Sequence, residues 1–165
     1  MKKIYIIETK KCDTRSNGGL LFTMDDLEKE TEYHIQAVCS CCNFLSNKLI
    51  TQAINHDNTK LGDNLPAFYE ALKTGASGKD FKNLAWWKLH ITKERHHLND
   101  KCPDDVNLLD VLEMIADCVC AGMARTGSVY DIKISNDILQ KAVSNTQKLL
   151  TDNIKVVKKG EKQYE

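Results

Sequence analysis

Leu109-Asp110-Val111-Leu112-Glu113-Met114-Ile115-Ala116-Asp117 is the stretch that decides the fold of this chain. It lies within residues 105–124, where Val106, Leu108, Leu109, Val111, Leu112, Met114, Ile115, Ala116, Val119 and Ala121 cover most of a helical circumference. A helix apolar on so many sides is expected to be buried on most of them. Asp110, Glu113 and Asp117 nevertheless recur at i, i+3 and i+7 and so share one face. Carboxylates removed from water are costly unless they are paired or bound to metal. Alone, the stripe would simply face water. The five histidines upstream (His34, His56, His90, His96 and His97) favour the metal-bound alternative.

The rest of the chain reads as helices around this one. Residues 1–23 hold a strand at 3–9, a turn at Asn17-Gly18-Gly19, and a return at Leu20-Leu21-Phe22. A β-hairpin there would serve as a flap over a site or as a dimer edge. Thr23 with Asp25, Asp26 and Glu28 marks a helix start. No Gly or Pro follows until after Asn55, so local pattern alone predicts one helix of about thirty residues. His34 and His56, if both bind one metal cluster, require a different course. On a straight helix they lie roughly 33 Å apart, and a metal–ligand bond is only ~2 Å long. The segment must then fold back, and Ser46-Asn47-Lys48 is its most turn-prone part. Otherwise the helix is continuous and the two histidines are unrelated.

Pro66 opens a further helix, running to about Lys73. Residues 80–94 form another, carrying Trp86, Trp87 and His90, and Ser135 caps a last amphipathic one. The expectation is a single domain over 1–165. An all-α helical bundle spans 24–155, a short N-terminal strand or β-hairpin precedes it, and a charged tail covers 156–165.

Composition narrows the class. The chain has 165 residues, with 23 basic and 23 acidic side chains and a formal net charge of zero. That balance gives no strong nucleic-acid footprint. No apolar run approaches the ~20 residues of a membrane span, and Glu8 interrupts the one segment that resembles a signal peptide. The seven cysteines form no pair of matched Cys-x-x-Cys motifs. They read as reduced, buried thiols of a cytoplasmic protein, with Cys39 and Cys42 on one buried helix face.

His34, His56, Asp57, His90, His96, His97 and Asp117 together supply up to seven nitrogen and oxygen ligands, enough for two divalent ions. Singly, each histidine is more often an ordinary core or surface residue, and an isolated His-Asp pair arises readily by chance. Two metals a few ångström apart would activate a water and neutralise a phosphoryl oxyanion. Lys60, three residues beyond Asp57, would add a positive contact, or else it is an ordinary surface lysine. No phosphate-binding Gly-rich loop and no Gly-x-Ser-x-Gly elbow is present.

These residues resemble the His…His-Asp…Asp signature of the HD superfamily of metal-dependent phosphohydrolases. Nearest in pattern is a group of phage and bacterial HD-type proteins. His56-Asp57-Asn58-Thr59-Lys60, His96-His97-Leu98-Asn99 and the stretch Leu109–Asp117 carry the likeness, which covers about residues 30–150. The resemblance implies an all-α HD-like bundle. It implies that His34, His56, Asp57 and Asp117 bind a first metal and that Asp57 bridges to a second. His90 with one or both of His96 and His97 would complete that second site. The ions would be Mn, Fe, Mg, Co, Ni or Zn, and Asp57 and Lys60 would be the catalytic residues. The substrate would be a nucleotide or a similar small phosphate ester in the bacterial cytoplasm. A homo-oligomer stays open.

Thr59 stands where the group carries Ser, a harmless exchange, while Leu98-Asn99 replaces Pro-Glu. The Gly-Tyr-Pro motif of the cyclic-di-GMP branch is absent. Two alternatives stand beside hydrolysis. One is a di-iron oxygenase on the same scaffold. The other is a non-catalytic phage or bacterial accessory protein that binds a nucleotide or a host protein and keeps a structural metal.

Overall fold

The computed structural model describes residues 3–12 and 21–160. Its elements run β1 (Ile4–Ile7), α1 (Met24–Ile54), α2 (Leu65–Lys73), α3 (Gly78–Asn83), α4 (Ala85–Lys93), α5 (Leu108–Thr126), α6 (Asn136–Asn153) and β2 (Ile154–Val157). Two short 3-10 turns, Asn58–Lys60 and Gly62–Asn64, link α1 to α2. The chain is thus all-α with a short strand, as its periodicity predicts. No helix among the described residues is long and apolar enough to cross a membrane.

Two compact units emerge, one drawn from 1–47 and 147–165 and the other from 48–146. In the first, β1 pairs in parallel with β2, with Ile4 opposite Ile154 and Ile7 opposite Val157. The N-terminal hairpin is therefore corrected. The partner of β1 straddles the end of the segment expected to be helical bundle and the start of the expected charged tail, and Ile154-Lys155-Val156-Val157 is β-branched enough to form it. Leu21 and Phe22 are coil, and the turn at Asn17-Gly18-Gly19 and Leu20 lie outside the described residues.

The start of α1 follows its sequence signals. The Asp26 amide donates to Thr23 Oγ1 at 3.1 Å while the Thr23 amide donates to Asp26 at 3.1 Å, a reciprocal cap. These bonds from Thr23, with Lys11 beside them, hold the Asp26 carboxyl down at about 2. The expected break at Ser46-Asn47-Lys48 does not occur, because α1 runs unbroken to Ile54. Ser and Asn cost a helix only a few tenths of a kcal/mol each, and no Gly or Pro is there to stop it. Nor is any residue of α1 buried. For that reason Cys39 and Cys42 are exposed rather than buried. All seven cysteines are free, and none is fully buried.

In the second unit Pro66 sits in the first turn of α2. The stretch read as one helix over 80–94 is two, because Leu84 adopts an extended conformation at φ −63°, ψ 143°. Asn107 and Asp110 cap α5 reciprocally, and Gly127, at φ 73°, ends it. Leu98, Val106, Val111, Met114 and Ala142 form the core, with Leu108, Cys118, Ile138 and Leu139 packed against it. Burial of α5 is one-sided, contrary to the expectation from its composition. Leu109, Val111 and Met114 are covered, but Leu112, Ile115, Val119 and Met123 remain exposed.

The chain after α5 turns back tightly onto Gly122, where an added Cβ would meet Ser128 O at 2.5 Å and Tyr130 N at 2.7 Å. Both are backbone atoms and cannot rotate away. Gly122→Ala is expected to destabilise the protein by about 2 kcal/mol, read as a lower midpoint in thermal or urea unfolding. An unchanged midpoint would contradict this packing.

Candidate metal centre

The site is assembled from three places in the second unit. The end of α1 carries Gln52 and leads into His56 and Asp57. Asp57 lies in the left-handed region at φ 58°, ψ 23°, which Asp tolerates better than most residues. That conformation turns the chain into the 3-10 turn holding Thr59 and Lys60. The end of α4 supplies His90, and the connection after it supplies Glu94, Arg95, His96 and His97. The inward face of α5 supplies Asp110, Glu113 and Asp117.

The acidic stripe divides into three separate jobs. Asp110 is fully buried, with 0% exposure. It accepts two hydrogen bonds from the Arg95 guanidinium, both at 2.8 Å, one from Gln52 at 2.8 Å, and one from the Asn107 amide at 2.9 Å. Its role is structural. Glu113 accepts from Gln52 at 2.6 Å, meets His56 Nδ1 at 2.9 Å, and lies 3.3 Å from His96 Nδ1. Asp117 lies 3.5 Å from His56 Nε2.

Asp57 faces two ways. Its Oδ1 lies 3.5 Å from His90 Nε2 and 3.8 Å from His96 Nε2, and its Oδ2 lies 3.4 Å from His56 Nε2. Lys60 forms a close ion pair with the same Oδ2. His97 Nε2 lies 2.7 Å from His90 Nε2. Two ligand groups result, Asp57-His90-His96-His97 and His56-His96-Asp117, each with donor atoms within 4.8 Å of one another. Both could hold a metal ion, and they share His96. Asp57 Oδ1 and His96 Nε2 are buried and take no hydrogen bond from any described residue. Buried polar atoms are nearly always satisfied. Unsatisfied lone pairs converging from a carboxylate and an imidazole fit a divalent cation.

Protonation differs across the cluster. Asp117, then Glu113, raise His56 to about 10. Burial would raise Glu113, but hydrogen bonds from His56 and Gln52, with His96 Nδ1 3.3 Å away, outweigh it and hold Glu113 at about 2. Burial, with Lys60 nearby, lowers His90 to about 4. Burial and the neighbouring His96 and His90 lower His97 to about 4. His90 and His97 are therefore neutral donors at neutral pH, while a metal taken at His56 Nε2 must displace a proton.

Comparison with protein families gives a match over residues 23–159 to DUF5662, a family of unknown function. The chain belongs to that family. Comparison with curated proteins and with solved structures gives no match. The family description assigns no activity, so the chemistry has to be argued from the site.

Six of the seven expected ligands (His56, Asp57, His90, His96, His97 and Asp117) fall in the two groups. His34 does not. It is exposed on the part of α1 that belongs to the first unit. With the helix unbroken, the stretch from His34 to Ile54 spans about 30 Å. Of the residues around the ligands, Gln52, Glu94 and Arg95 carry no signal in the sequence, and Thr59 appears there only as an exchange for serine. Gln52, Thr59, Glu94 and Arg95 each act on a partner far along the chain. Asp110 and Glu113 carry a signal, their place in the acidic stripe.

These shifts set the pH dependence of the metal-free protein. Glu113 contributes above its unfolded value of 4.5 and loses that contribution as pH falls through about 2. His90 and His97 titrate at about 4 when folded and 6.5 when unfolded, so stability falls as pH drops from 6.5 towards 4. His56 stabilises fully below 6.5, and that share is lost as pH rises towards 10. Urea unfolding of EDTA-treated protein is expected to show maximal stability near pH 6.5. His56→Ala should flatten the decline on the alkaline side. Separately, Arg95→Ala leaves Asp110 buried without its main partner and should cost about 3 kcal/mol in the same assay.

Proposed function

We propose that this chain is a metal-dependent phosphohydrolase of the HD type, acting on a phosphate ester of a nucleotide or a similar small molecule. The observation that carries the reading is the bridging stance of Asp57, with Oδ1 towards His90 and His96 and Oδ2 towards His56. A carboxylate placed between two ligand groups suits a pair of divalent ions. Nitrogen and oxygen ligands admit Mn, Fe, Mg, Co, Ni or Zn. His96 takes the place that the HD resemblance gives to His34.

Bound metal would supply Lewis acidity and a water of lowered pKa. The chain's own residues do the rest. Neutral His90 and His97 lose no net proton on binding, but the ring whose Nε2 carries the hydrogen of their 2.7 Å contact must pass it to Nδ1. Glu113 holds His56 by Nδ1 and aims Nε2 towards Asp57 and Asp117. Lys60 is held beside Asp57 by their ion pair, where its ammonium can meet a phosphoryl oxygen as charge develops. Asp110 and Arg95 anchor the start of α5 to the connection that carries His96 and His97.

The test is phosphate release from a nucleotide and phosphate-ester panel with Mn- or Co-loaded protein. EDTA should abolish it, and metal should restore it. Asp57→Asn, which keeps a residue tolerant of the left-handed conformation, should lower kcat/KM by about 10³-fold, and Lys60→Ala by about 10²-fold. Hydrolysis indifferent to EDTA and to Asp57→Asn would overturn the proposal.

A second reading draws on a different observation. Asp57, His90, His96 and His97 supply four ligands, two of them almost wholly buried. Four protein ligands suit a closed structural site. In that case chelation should unfold the protein and the substrate panel should stay negative, whereas under hydrolysis chelation removes activity and leaves the helices folded, as circular dichroism would show.

A further inference from the structure

Thr59 is buried between His90 and Glu94. Its amide donates to Glu94 Oε1 at 2.9 Å, and its hydroxyl donates to the same oxygen at 2.7 Å. The Thr59 oxygen also lies 2.6 Å from His90 Nδ1. A threonine hydroxyl has one proton. The carboxylate has none to give, so that proton is committed to Glu94. The contact to His90 must then be made by the imidazole, with Nδ1–H donating to the hydroxyl oxygen. Nε2 is left without a proton, so the 2.7 Å contact is made by His97 Nε2–H donating to it, and Asp57 Oδ1 lies 3.5 Å away. Trp86 stacks on the ring with centroids 4.8 Å apart and an interplanar angle of 16°, which holds its plane.

We propose that Thr59 and Glu94 form a two-step hydrogen-bond relay that locks His90 as the Nδ1–H tautomer and presents Nε2 to the metal. Thr59 and Glu94 are positioning residues. Glu94 acts through the Thr59 hydroxyl rather than touching the imidazole. Outer partners of this kind fix the tautomer and orientation of a ligating histidine. The inference rests on the metal-site reading above and deepens it. Thr59 in place of serine is then harmless, because the hydroxyl that the two residues share does the work.

The relay is tested in two independent ways. Nitrogen NMR of metal-free protein labelled with 15N-histidine reads the tautomer directly. His90 is expected as Nδ1–H in the wild type, and an Nε2–H assignment would overturn the proposal whether or not any variant folds. Calorimetric titration with Co or Mn then compares wild type, Thr59→Val and Thr59→Ser. Thr59→Val should bind about 10–100-fold more weakly, with a changed visible spectrum of the cobalt complex, and Thr59→Ser should restore both. Equal affinity in wild type and a folded Thr59→Val would overturn the relay while leaving the metal site standing. Failure of the wild type to bind either ion would overturn the metal-site reading itself, and the relay's purpose with it.

Discussion

The carboxylate of Asp110 is the constraint on which the second unit depends. It has no exposure to solvent, and its bonds come from three separate places: Arg95, Gln52 and the Asn107 amide. A buried charge is tolerated only when it is this fully paired. The same group completes the reciprocal cap of α5. One side chain thus caps the start of α5 and ties it to Gln52 of α1 and to Arg95 in the connection carrying His96 and His97. The ligand groups can be precise because this anchor stands beside them and not among them.

A second layer of order follows. The histidines are turned by acceptors that lie outside the ligand groups. Glu113 meets His56 Nδ1 and lies near His96 Nδ1, while Thr59 and Glu94 act on His90. Each leaves an Nε2 directed inward. The acidic stripe of α5 is therefore not a uniform ligand strip. Successive positions of one helical face serve as anchor, orienting group and candidate ligand.

Local chemistry was the legible part. The cap at Thr23, Pro66 in the first turn of α2 and Gly127 after α5 are signals confined to one turn of chain, and each element begins or ends where they stand. Histidine count and spacing, with the acids of α5, marked six residues that the structure gathers. Two expectations fail for opposite reasons. The break in α1 follows from a presumed distant ligand, His34, against local propensity that favours continuity. The N-terminal hairpin pairs β1 with its nearest neighbour in sequence, whereas its partner lies at the far end of the chain.

By itself, then, the sequence determined the helical class, the caps, the pool of nitrogen and oxygen donors and the inward pull on the α5 carboxylates. These depend on periodicity and on contacts within a turn or two. Only the tertiary structure decided which donors share a centre, which nitrogen of each histidine faces inward, and that Asp110 anchors while Glu113 orients. Those outcomes rest on bonds spanning 7 to 61 positions, such as His90 with His97, Arg95 with Asp110 and Gln52 with Glu113. No local pattern encodes contacts at that separation, because they exist only once the helices have packed.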